Sequence, residues 1–446
     1  DLMNNLYETQ RAMRRARKAA IQRGVIAVLD IGTSKIACFV LKFDNIKPRN
    51  VKDHVGSMVG QADFRIVGVA TIKSRGVKFG DIELIRETER AIRTAVQAAQ
   101  KMAGVRVDHL IACFAGGNPR SYGLEGNVRT ENGMVNDRDI ANVLDSCEIP
   151  NYGTTREALH AQPVNFTLDG KNGLMDPRGQ IGKELLVDMH LLTVDITSIE
   201  TILHCVKRCD LELAGVASSA YVAAISSLVE DEKEIGAACV DIGGGSTAVS
   251  LFLKKHMIYG DFVKIGGDHI SSDISHGLQI PIALAERIKN VNGGLLATGM
   301  DDREVIQISG DTGDWEHDQR TVTRSELIGI IRPRVEEILE GVQETLAVAG
   351  FEFLPSQRIV LTGGTSQIPG LDQLASKILG QQVRMGKPLR VRGLPQAASG
   401  PAFSAIVGLS LFAAYPQDEW WDFETLNKNY AEKSIRKMSN WLRENW

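Results

Sequence analysis

Two acidic residues, each followed by glycine or small polar residues, have the types and spacing that best suggest chemistry in this sequence. Asp241 ends an apolar, β-prone run and is followed by Gly243, Gly244, Gly245 and Ser246 before a second apolar run begins. This order predicts a β-hairpin whose turn exposes backbone N–H groups, because glycine lacks a Cβ and tolerates positive φ angles. Such N–H groups bind anions, and the carboxylate beside them is suited to holding a metal ion through water.

The same arrangement occurs about two hundred residues earlier in the chain. Asp30 follows an apolar run and precedes Gly32, Thr33, Ser34 and Lys35, after which another apolar run begins. Two copies of one strand–turn–strand unit indicate a duplicated domain that grips a polyphosphate from both sides. We expect both turns to hold phosphates through backbone N–H groups, and Lys35 to neutralise phosphate charge.

Two later segments could bind the nucleoside part of such a ligand. Glu286 and Lys289 lie three residues apart on one face of a predicted helix, where both could hydrogen-bond a ribose. Gly363, Gly364 and Thr365 follow a predicted apolar strand and precede helix-starting residues. A glycine pair at that junction would let a purine or a ribose approach the backbone closely.

Composition sets limits on the class of protein. The 446 residues, 43% of them hydrophobic and 24% charged, are enough for about three or four domains. A net charge of −4 argues against nucleic-acid binding. No apolar run reaches the roughly 18 residues that would span a bilayer, and no signal peptide is visible. The sequence begins with Asp1 rather than methionine, so we expect it to be a trimmed form of a longer chain.

The six cysteines do not predict a metal site. Only Cys205 and Cys209 are close in sequence, one helical turn apart, and no second cysteine or histidine pair accompanies them. Buried reduced thiols fit this pattern better than zinc ligands. We therefore expect the protein to reside in a reducing cytoplasm.

The alternation of predicted strands and helices divides the chain into two lobes with additions. We expect a basic N-terminal extension (1–23), a first lobe (24–80 and 167–213, completed by a helix over 402–414), an insert in that lobe (81–166), a second lobe (214–267 and 329–401), its small subdomain (268–328), a linker (415–430) and a C-terminal helix (431–446). The extension is interpreted as a solvated basic tail, with a membrane- or partner-binding arm as the alternative. Residues 213–228 are expected to form an interdomain helix.

The C-terminal residues predict an amphipathic helix. At about 100° per residue, one side carries Ile435, Met438, Trp441, Leu442 and Trp446, and the other carries Arg436, Lys437, Asn440 and Arg443. Tryptophan beside cationic residues suits a helix that lies in a headgroup layer and meets anionic lipid. The alternative is a helix that docks on the protein body.

The motifs occur in the order DIG, DIGGG, AERIK and LTGG, which resembles the actin, Hsp70 and hexokinase superfamily. Together with the turn at Ser74–Gly76 and the terminal sequence Ser439–Arg443, they resemble the FtsA family of bacterial cell-division proteins over residues 24–446. The resemblance implies an α/β, actin-like fold, duplicated and related to ribonuclease H. Its two lobes would enclose a nucleotide cleft, with the FtsA-type inserted subdomain in the first lobe.

The resemblance also implies a function and a set of ligands. The chain would bind ATP and Mg²⁺, with Asp30 and Asp241 holding the metal through water, and would form actin-like filaments. It would tether FtsZ, whose C-terminal peptide would dock on 268–328, to the cytoplasmic face of the inner membrane at the division septum. It would also help to recruit later division proteins.

The segment that connects the lobes predicts slow hydrolysis and offers no catalytic residue. The segment connecting the lobes offers the sequence Ala-Ser-Ser-Ala at 217–220 where actin-like ATPases would carry a carboxylate or amide. A hydroxyl orients an attacking water less well than a carboxylate base, so we expect at most weak ATPase activity. Two alternatives stay open, namely a PilM-like pilus-assembly ATPase and a small-molecule kinase of the same superfamily.

Overall fold

The structure is a computed structural model that describes residues 6–46, 62–308 and 320–423. Its first half contains, in chain order, α1 (Leu6–Arg23), β1 (Val25–Ile31), β2 (Lys35–Ile46), β3 (Ala62–Lys73), β4 (Val77–Lys78), β5 (Asp81–Ile82), α2 (Ile85–Ala103), β6 (His109–Phe114), β7 (Arg120–Arg129), α3 (Asp137–Asp145), β8 (Arg156–Leu168), β9 (Lys171–Leu174), β10 (Glu184–Asp195), α4 (Ile196–Arg208), β11 (Glu212–Ser218) and α5 (Ser219–Ser227).

The second half continues with α6 (Glu230–Ile235), β12 (Ala237–Ile242), β13 (Thr247–Leu253), β14 (His256–Val263), α7 (Gly267–Leu278), α8 (Ile282–Asn292), β15 (Val305–Gln307), β16 (Thr321–Thr323), α9 (Arg324–Val348), β17 (Arg358–Thr362), α10 (Leu371–Leu379), β18 (Val383–Met385) and α11 (Ser404–Ala414). Short 3₁₀ turns lie at Phe351–Phe353, Gly364–Gln367, Gln396–Ala398, Pro401–Phe403 and Trp420–Asp422.

Two five-stranded sheets of the same topology form the two lobes. The first has the order β3-β2-β1-β6-β11 and the second has the order β14-β13-β12-β17-β18. In each sheet, three antiparallel strands are followed by two strands parallel to the central one. Asp30 in β1 pairs with Ala37 and Cys113, and Asp241 in β12 pairs with Ala248 and Thr362. The two acidic residues therefore occupy equivalent positions in a duplicated sheet.

The insert has different boundaries from those predicted at 81–166. Its four-stranded sheet has the order β7-β10-β8-β9 and carries α3 on one side. Strand β10, assigned from sequence to the first lobe, pairs with both β7 and β8 of the insert. Conversely, α2 and β6 belong to the first lobe, because β6 pairs with β1 and α2 packs on β2 and β3. Local patterns identified these elements, but only tertiary pairing determines the sheet to which each strand belongs.

Residues 6–23 are not a solvated tail. They form α1, which packs on β11, β1 and β6 and on the 3₁₀ turn at 420–422. Met13, Ala20 and Ile21 join the core of the first lobe. The interdomain helix predicted over 213–228 is also wrong in its first part, because residues 212–218 form strand β11 beside β6 and the helix starts at Ser219.

Residues 415–423 are part of the folded body rather than a linker. Trp421 is buried within the hydrophobic core of the insert, and Trp420 and Phe423 pack against the same core. The predicted linker residues 424–430 and the predicted amphipathic helix at 431–446 lie outside the described residues, as does the acidic segment 309–319 between β15 and β16. Among the helices of the described ranges, none is long and apolar enough to cross a membrane.

Candidate functional site

The two hairpin turns and their acidic residues meet at one cavity of about 380 Å³ between the lobes. The cavity is lined by Asp30, Asp241, residues of both turns, Glu286 and Thr365. Of the residues that the sequence singled out for nucleotide binding, those on the cavity wall are Asp30, Gly32, Thr33, Ser34, Lys35, Asp241, Gly243, Gly244, Gly245, Ser246, Glu286, Lys289, Gly364 and Thr365. The symmetric placement of β1 and β12 brings these distant segments together.

Gly363 is the predicted residue that does not line the cavity. It has a φ of 92° and lies behind Asp241, where a Cβ would collide with the Asp241 carboxylate and the backbone of Ile242. Glycine at this position therefore lets the strand end of β17 approach β12. Its role is to allow this close packing rather than to contact a ligand.

The first glycine of each turn closes the hairpin. The Gly32 N–H donates to the Lys35 carbonyl at 3.1 Å, and the Gly243 N–H donates to the Ser246 carbonyl at 3.0 Å. These two N–H groups are already used, so they do not serve as the phosphate donors that the sequence predicted. The tips of the turns are left for that role.

The two turns touch each other across the cleft. The Ser34 hydroxyl donates to both oxygens of Asp268, at 2.8 and 2.9 Å, and Asp268 lies in the first turn of α7 in the second lobe. A side chain at Gly244 would collide with Ser34, and one at Gly245 would collide with Thr33. The glycines are therefore needed for the approach of the two lobes as well as for the turn itself.

Asp30 and Asp241 form an acidic pair at the base of the cavity. Burial raises the pKa of Asp241 to about 7, and the charge of Asp30 adds to this effect. Burial also raises the pKa of Asp30, against the opposing effects of Lys35 and of the Cys113 thiol, whose Sγ lies 3.6 Å from Asp30 Oδ1. The positive charge within the site is therefore not sufficient to keep the pKa values of both carboxyl groups at their ordinary level.

Lys35 supplies one positive charge close to this pair. Its Nζ donates to the Ala402 carbonyl at 2.6 Å and lies 3.8 Å from the centre of the Phe403 ring. Burial lowers the pKa of Lys35, while Asp30 and Asp241 act in the opposite direction. The ammonium group is thus held near the acidic pair by contacts to the segment that precedes α11.

Carboxylate oxygens with room for water fit a magnesium ion. Mg²⁺ is commonly held by one or two carboxylates, waters and substrate phosphates. Across residues 6–46, 62–308 and 320–423, no group of three or more His, Cys, Asp or Glu side chains is arranged to hold a metal ion directly. The donors at the cavity base therefore fit an ion that keeps most of its water, with Asp30 and Asp241 as the protein oxygens.

Lys289 makes contacts that the sequence did not predict. Its Nζ donates to the Gly267 carbonyl at 3.0 Å and to the Ser271 hydroxyl at 2.7 Å, which joins α8 to α7. Burial lowers its pKa. Glu286 is exposed one turn earlier on the same helix and lines the cavity. Of the two residues predicted to hold a ribose, Glu286 is therefore better placed to meet a ligand.

Several residues of the cavity wall were not among those that the sequence predicted to bind nucleotide. They are Ala115, Ser219, Ala248, Gly267, Asp268, Asn290, Gln367, Ile368, Pro369, Ala402 and Ala405. Most are small or apolar, and their chemistry gives no reason to single them out. Asp268 does carry a local signal, because it follows a glycine pair at the start of α7, and a helix N-terminus is a place where anions bind.

The architecture defines the class of protein: this is an actin-like ATPase fold. A solved structure of the PilM–PilN type IV pilus biogenesis complex matches it with a TM-score of 0.58 at 13% identity, covering 88% of this chain and 99% of that one. MreB5 of Spiroplasma citri bound to ADP matches with a TM-score of 0.50 at 14% identity, covering 93% and 98%.

Sequence comparison identifies the family. The chain is 36% identical over 428 residues to the cell division protein FtsA of Rhizobium meliloti (strain 1021), covering 95% of each chain. It is 31% identical over 434 residues to that of Pseudomonas aeruginosa, covering 96% of this chain and 100% of the relative. A family model described as cell division protein FtsA matches residues 238–408, and one described as the SHS2 domain inserted in FtsA matches residues 116–193. The chain belongs to the FtsA family of cell division proteins.

Proposed function

We propose that this chain binds Mg²⁺-ATP between its lobes, assembles into actin-like filaments and tethers FtsZ to the cytoplasmic face of the inner membrane at the division septum. The observation that carries the nucleotide part is the meeting of two equivalent hairpins, each with a carboxylate and a turn, at one cavity of about 380 Å³. Membership of the FtsA family supports the role in cell division.

Each part of the cavity has a task in this proposal. The turn tips at Thr33–Ser34 and Gly244–Ser246 would donate N–H groups to the phosphates, and Lys35 would offset their charge. Asp30 and Asp241 would hold Mg²⁺ through water, and the ion would neutralise part of the phosphate charge when bound. Gly364, Thr365 and Glu286 would border the nucleoside.

Bound nucleotide would hold the two lobes in one relative orientation. A ligand that contacts both turns stabilises the arrangement in which the turns are close, by an amount that depends on its concentration and affinity. A fixed arrangement favours head-to-tail stacking of identical subunits, because the two ends of each subunit then match. Hydrolysis is expected to be weak, since the wall at the start of α5 offers the Ser219 hydroxyl where a carboxylate would be a better base.

Titration with a fluorescent ATP analogue tests the nucleotide part. We expect saturable binding that tightens with Mg²⁺, and a smaller Mg²⁺ effect in Asp30→Asn and Asp241→Asn, which keep the side-chain size. Asp302→Asn is a matched control, because Asp302 is an exposed aspartate of the second lobe. Absence of binding by the unmodified chain at millimolar ATP would overturn this part of the proposal.

Co-sedimentation with vesicles tests the tethering part. The full chain should pellet with vesicles that contain anionic lipid and should carry FtsZ with it, whereas a chain that lacks 431–446 should stay in solution. Vesicles of neutral lipid are the control for lipid charge. Less of the full chain should pellet with them, since cationic residues of an interfacial helix strengthen binding by attraction to anionic headgroups. Equal pelleting of the full and shortened chains would show that the C-terminal residues are not the membrane anchor.

A further inference from the structure

The basic N-terminal helix α1 turns three of its arginines inward. Arg11, Arg14 and Arg17 are 8%, 4% and 1% exposed, while Arg15 and Lys18 on the opposite side are exposed. A guanidinium group that is removed from water is costly unless it finds hydrogen bonds or an opposite charge. The inward face of α1 must therefore be complementary to something in the fold.

Its partner is the segment 417–422, which we call the C-terminal strap. Arg14 Nη2 lies 3.1 Å from Asp422 Oδ2 and 3.6 Å from Glu419 Oε2. Arg11 Nε donates to the Trp421 carbonyl at 3.4 Å. Since Glu419 and Asp422 are 2% and 3% exposed, the basic face of α1 supplies buried charges of opposite sign to them.

Arg17 connects the same face to the helix that precedes the strap. Its Nη1 donates to the Phe412 carbonyl at 3.1 Å, and its guanidinium lies 4.7 Å from the centre of the Phe412 ring. Phe412 belongs to α11, so α1 contacts both the end of the first lobe and the chain that leaves it. Cation–π contact and a hydrogen bond to the last turn of a helix both favour arginine at this position.

The strap is also bound to the insert. Glu419 Oε1 accepts a hydrogen bond from Gln162 Nε2 at 3.1 Å and lies 2.8 Å from His160 Nδ1. The Ser218 N–H donates to His160 Nε2 at 3.0 Å, so Nε2 is the acceptor and Nδ1 carries the proton that Glu419 accepts. His160 thus joins β11 of the first lobe, β8 of the insert and the strap.

At its other end the strap contacts the second lobe. Gln417 Nε2 donates to the Lys255 carbonyl at 2.6 Å in the turn between β13 and β14, and Gln417 Oε1 accepts from the Tyr221 hydroxyl at 3.0 Å. Trp421 fills the core of the insert. One short segment is therefore in contact with α1, the insert and the second lobe.

We propose that α1 is a clamp whose inward basic face binds this chain's own acidic, tryptophan-containing strap, and that this contact fixes both the insert and the exit point of the C-terminal residues on the first lobe. The inference assigns a partner to the basic face of α1 and does not depend on nucleotide binding. Without the clamp, Glu419 and Asp422 would remain as buried charges, and the strap would separate more readily from the insert.

Hydrogen exchange measured by mass spectrometry on the full chain tests the clamp. Arg14→Met keeps an unbranched, flexible stem and removes the charged guanidinium group, and Arg15→Met makes the same change on the exposed side of α1. We expect peptides that cover 416–423 and 157–162 to exchange at least about tenfold faster in Arg14→Met, because local opening becomes easier. Peptides within α9 should be unchanged, and Arg15→Met should match the unmodified chain throughout.

A second variant keeps the test decisive if Arg14→Met folds poorly. Glu419→Gln retains a hydrogen-bonding group for His160 and Gln162 but removes the charge opposite Arg14, so a smaller acceleration of about threefold is expected at 416–423. The clamp is refuted if peptides that cover 416–423 exchange in Glu419→Gln as slowly as in the unmodified chain and in the Arg15→Met control. It is equally refuted if the faster exchange of either strap-contact variant spreads evenly into α9, because the contact would then support the whole fold and not the strap.

Discussion

Asp268 brings a carboxylate to the side of the cleft where the proposed phosphates would lie. Both of its oxygens accept from the Ser34 hydroxyl, and Ser34 belongs to the turn expected to bind phosphate. Its own N–H is engaged with the Gly244 carbonyl at 2.8 Å, which holds the residue beside the second turn. An anion at this position competes with a phosphate oxygen for the same hydroxyl and repels its charge.

Asp268→Asn is therefore expected to bind ATP more tightly. The change removes one negative charge and keeps the side-chain shape, and about 1 kcal/mol for one partly solvated pair of like charges corresponds to roughly fivefold in affinity. Titration with a fluorescent ATP analogue measures the effect, with Asp302→Asn as the control in the same lobe. Weaker binding by Asp268→Asn would mean that this carboxylate assists the ligand or its Mg²⁺.

Glu286 and Lys289 are expected to separate into a ligand contact and a structural contact. Lys289 Nζ is engaged with Gly267 and Ser271, so Lys289→Met should destabilise the second lobe by about 2 kcal/mol through two lost hydrogen bonds from a charged donor. Glu286→Gln should leave thermal unfolding unchanged and weaken ATP binding severalfold. Scanning calorimetry measures the stability of both variants, and nucleotide titration measures their affinity for ATP. If Lys289→Met weakened binding without loss of stability, the sequence-based assignment of Lys289 to the ribose would regain support.

At the scale of elements, the insert contacts the second lobe through Ser121, and a buried histidine of the insert holds this serine. His190 in β10 lies 3.0 Å, through Nε2, from the Ser121 hydroxyl in β7, which in turn accepts from the Gly260 N–H in β14 at 3.0 Å. His190 Nδ1 has no hydrogen-bond partner in the described part of the chain. Burial, with a smaller effect of His160, lowers the pKa of His190 to about 3.

This histidine should make the fold sensitive to acid. Above pH 6.5, the ordinary value, His190 is neutral in both the folded and the unfolded chain and contributes no pH dependence. As the pH falls below 6.5, the unfolded chain takes up a proton that the folded chain excludes, so stability is lost at up to about 1.4 kcal/mol per pH unit. His190→Gln removes this loss, and its unfolding temperature should fall less between pH 7 and pH 5. Parallel curves for the two proteins would contradict the prediction.

The elements differ in how far the sequence determined them. The twin hairpins were predictable because an apolar strand, an acidic residue and a glycine-containing turn are local patterns, and the structure gives both the same sheet topology. The boundaries of the insert were not predictable, because β10 has the same strand character whichever sheet it joins. The choice is made by its pairing with β7 and β8, which are distant in sequence.

The sequence of α1 contains a pattern that indicates a packed helix, although its many basic residues suggested a solvated tail. Arg11, Arg14 and Arg17 recur at three-residue spacing on the same face as buried Met13 and Ile21. Such a stripe indicates a packed helix rather than a solvated tail, provided that acidic partners exist elsewhere. Those partners lie near residue 420, some four hundred positions away, so no local pattern around α1 indicates them. The contact of Asp268 with Ser34 was not predictable for the same reason, because it crosses between the lobes.

At the scale of the whole molecule, the lobes are joined at several separate points. Ser34 contacts Asp268 in the cleft, the Ile66 N–H of β3 donates to the Arg392 carbonyl at 2.9 Å, and Gln417 of the strap contacts Lys255. A ligand in the cleft would act on one of these contacts directly and on the others through the rigid sheets. In the proposed function, the relative position of the lobes is the property through which bound nucleotide would control assembly.

Assembly should in turn control membrane binding. A single short amphipathic helix binds lipid weakly and reversibly, whereas several helices on one filament bind together, which can raise the apparent affinity by about 10² or more. We expect pelleting with anionic vesicles to rise steeply with chain concentration in the presence of Mg²⁺-ATP. A synthetic peptide of residues 431–446 should show a shallow dependence that is indifferent to nucleotide. If the full chain in ATP bound vesicles no more tightly than the peptide, the membrane contact would be independent of stacking, and a filament would not be needed to explain the tether.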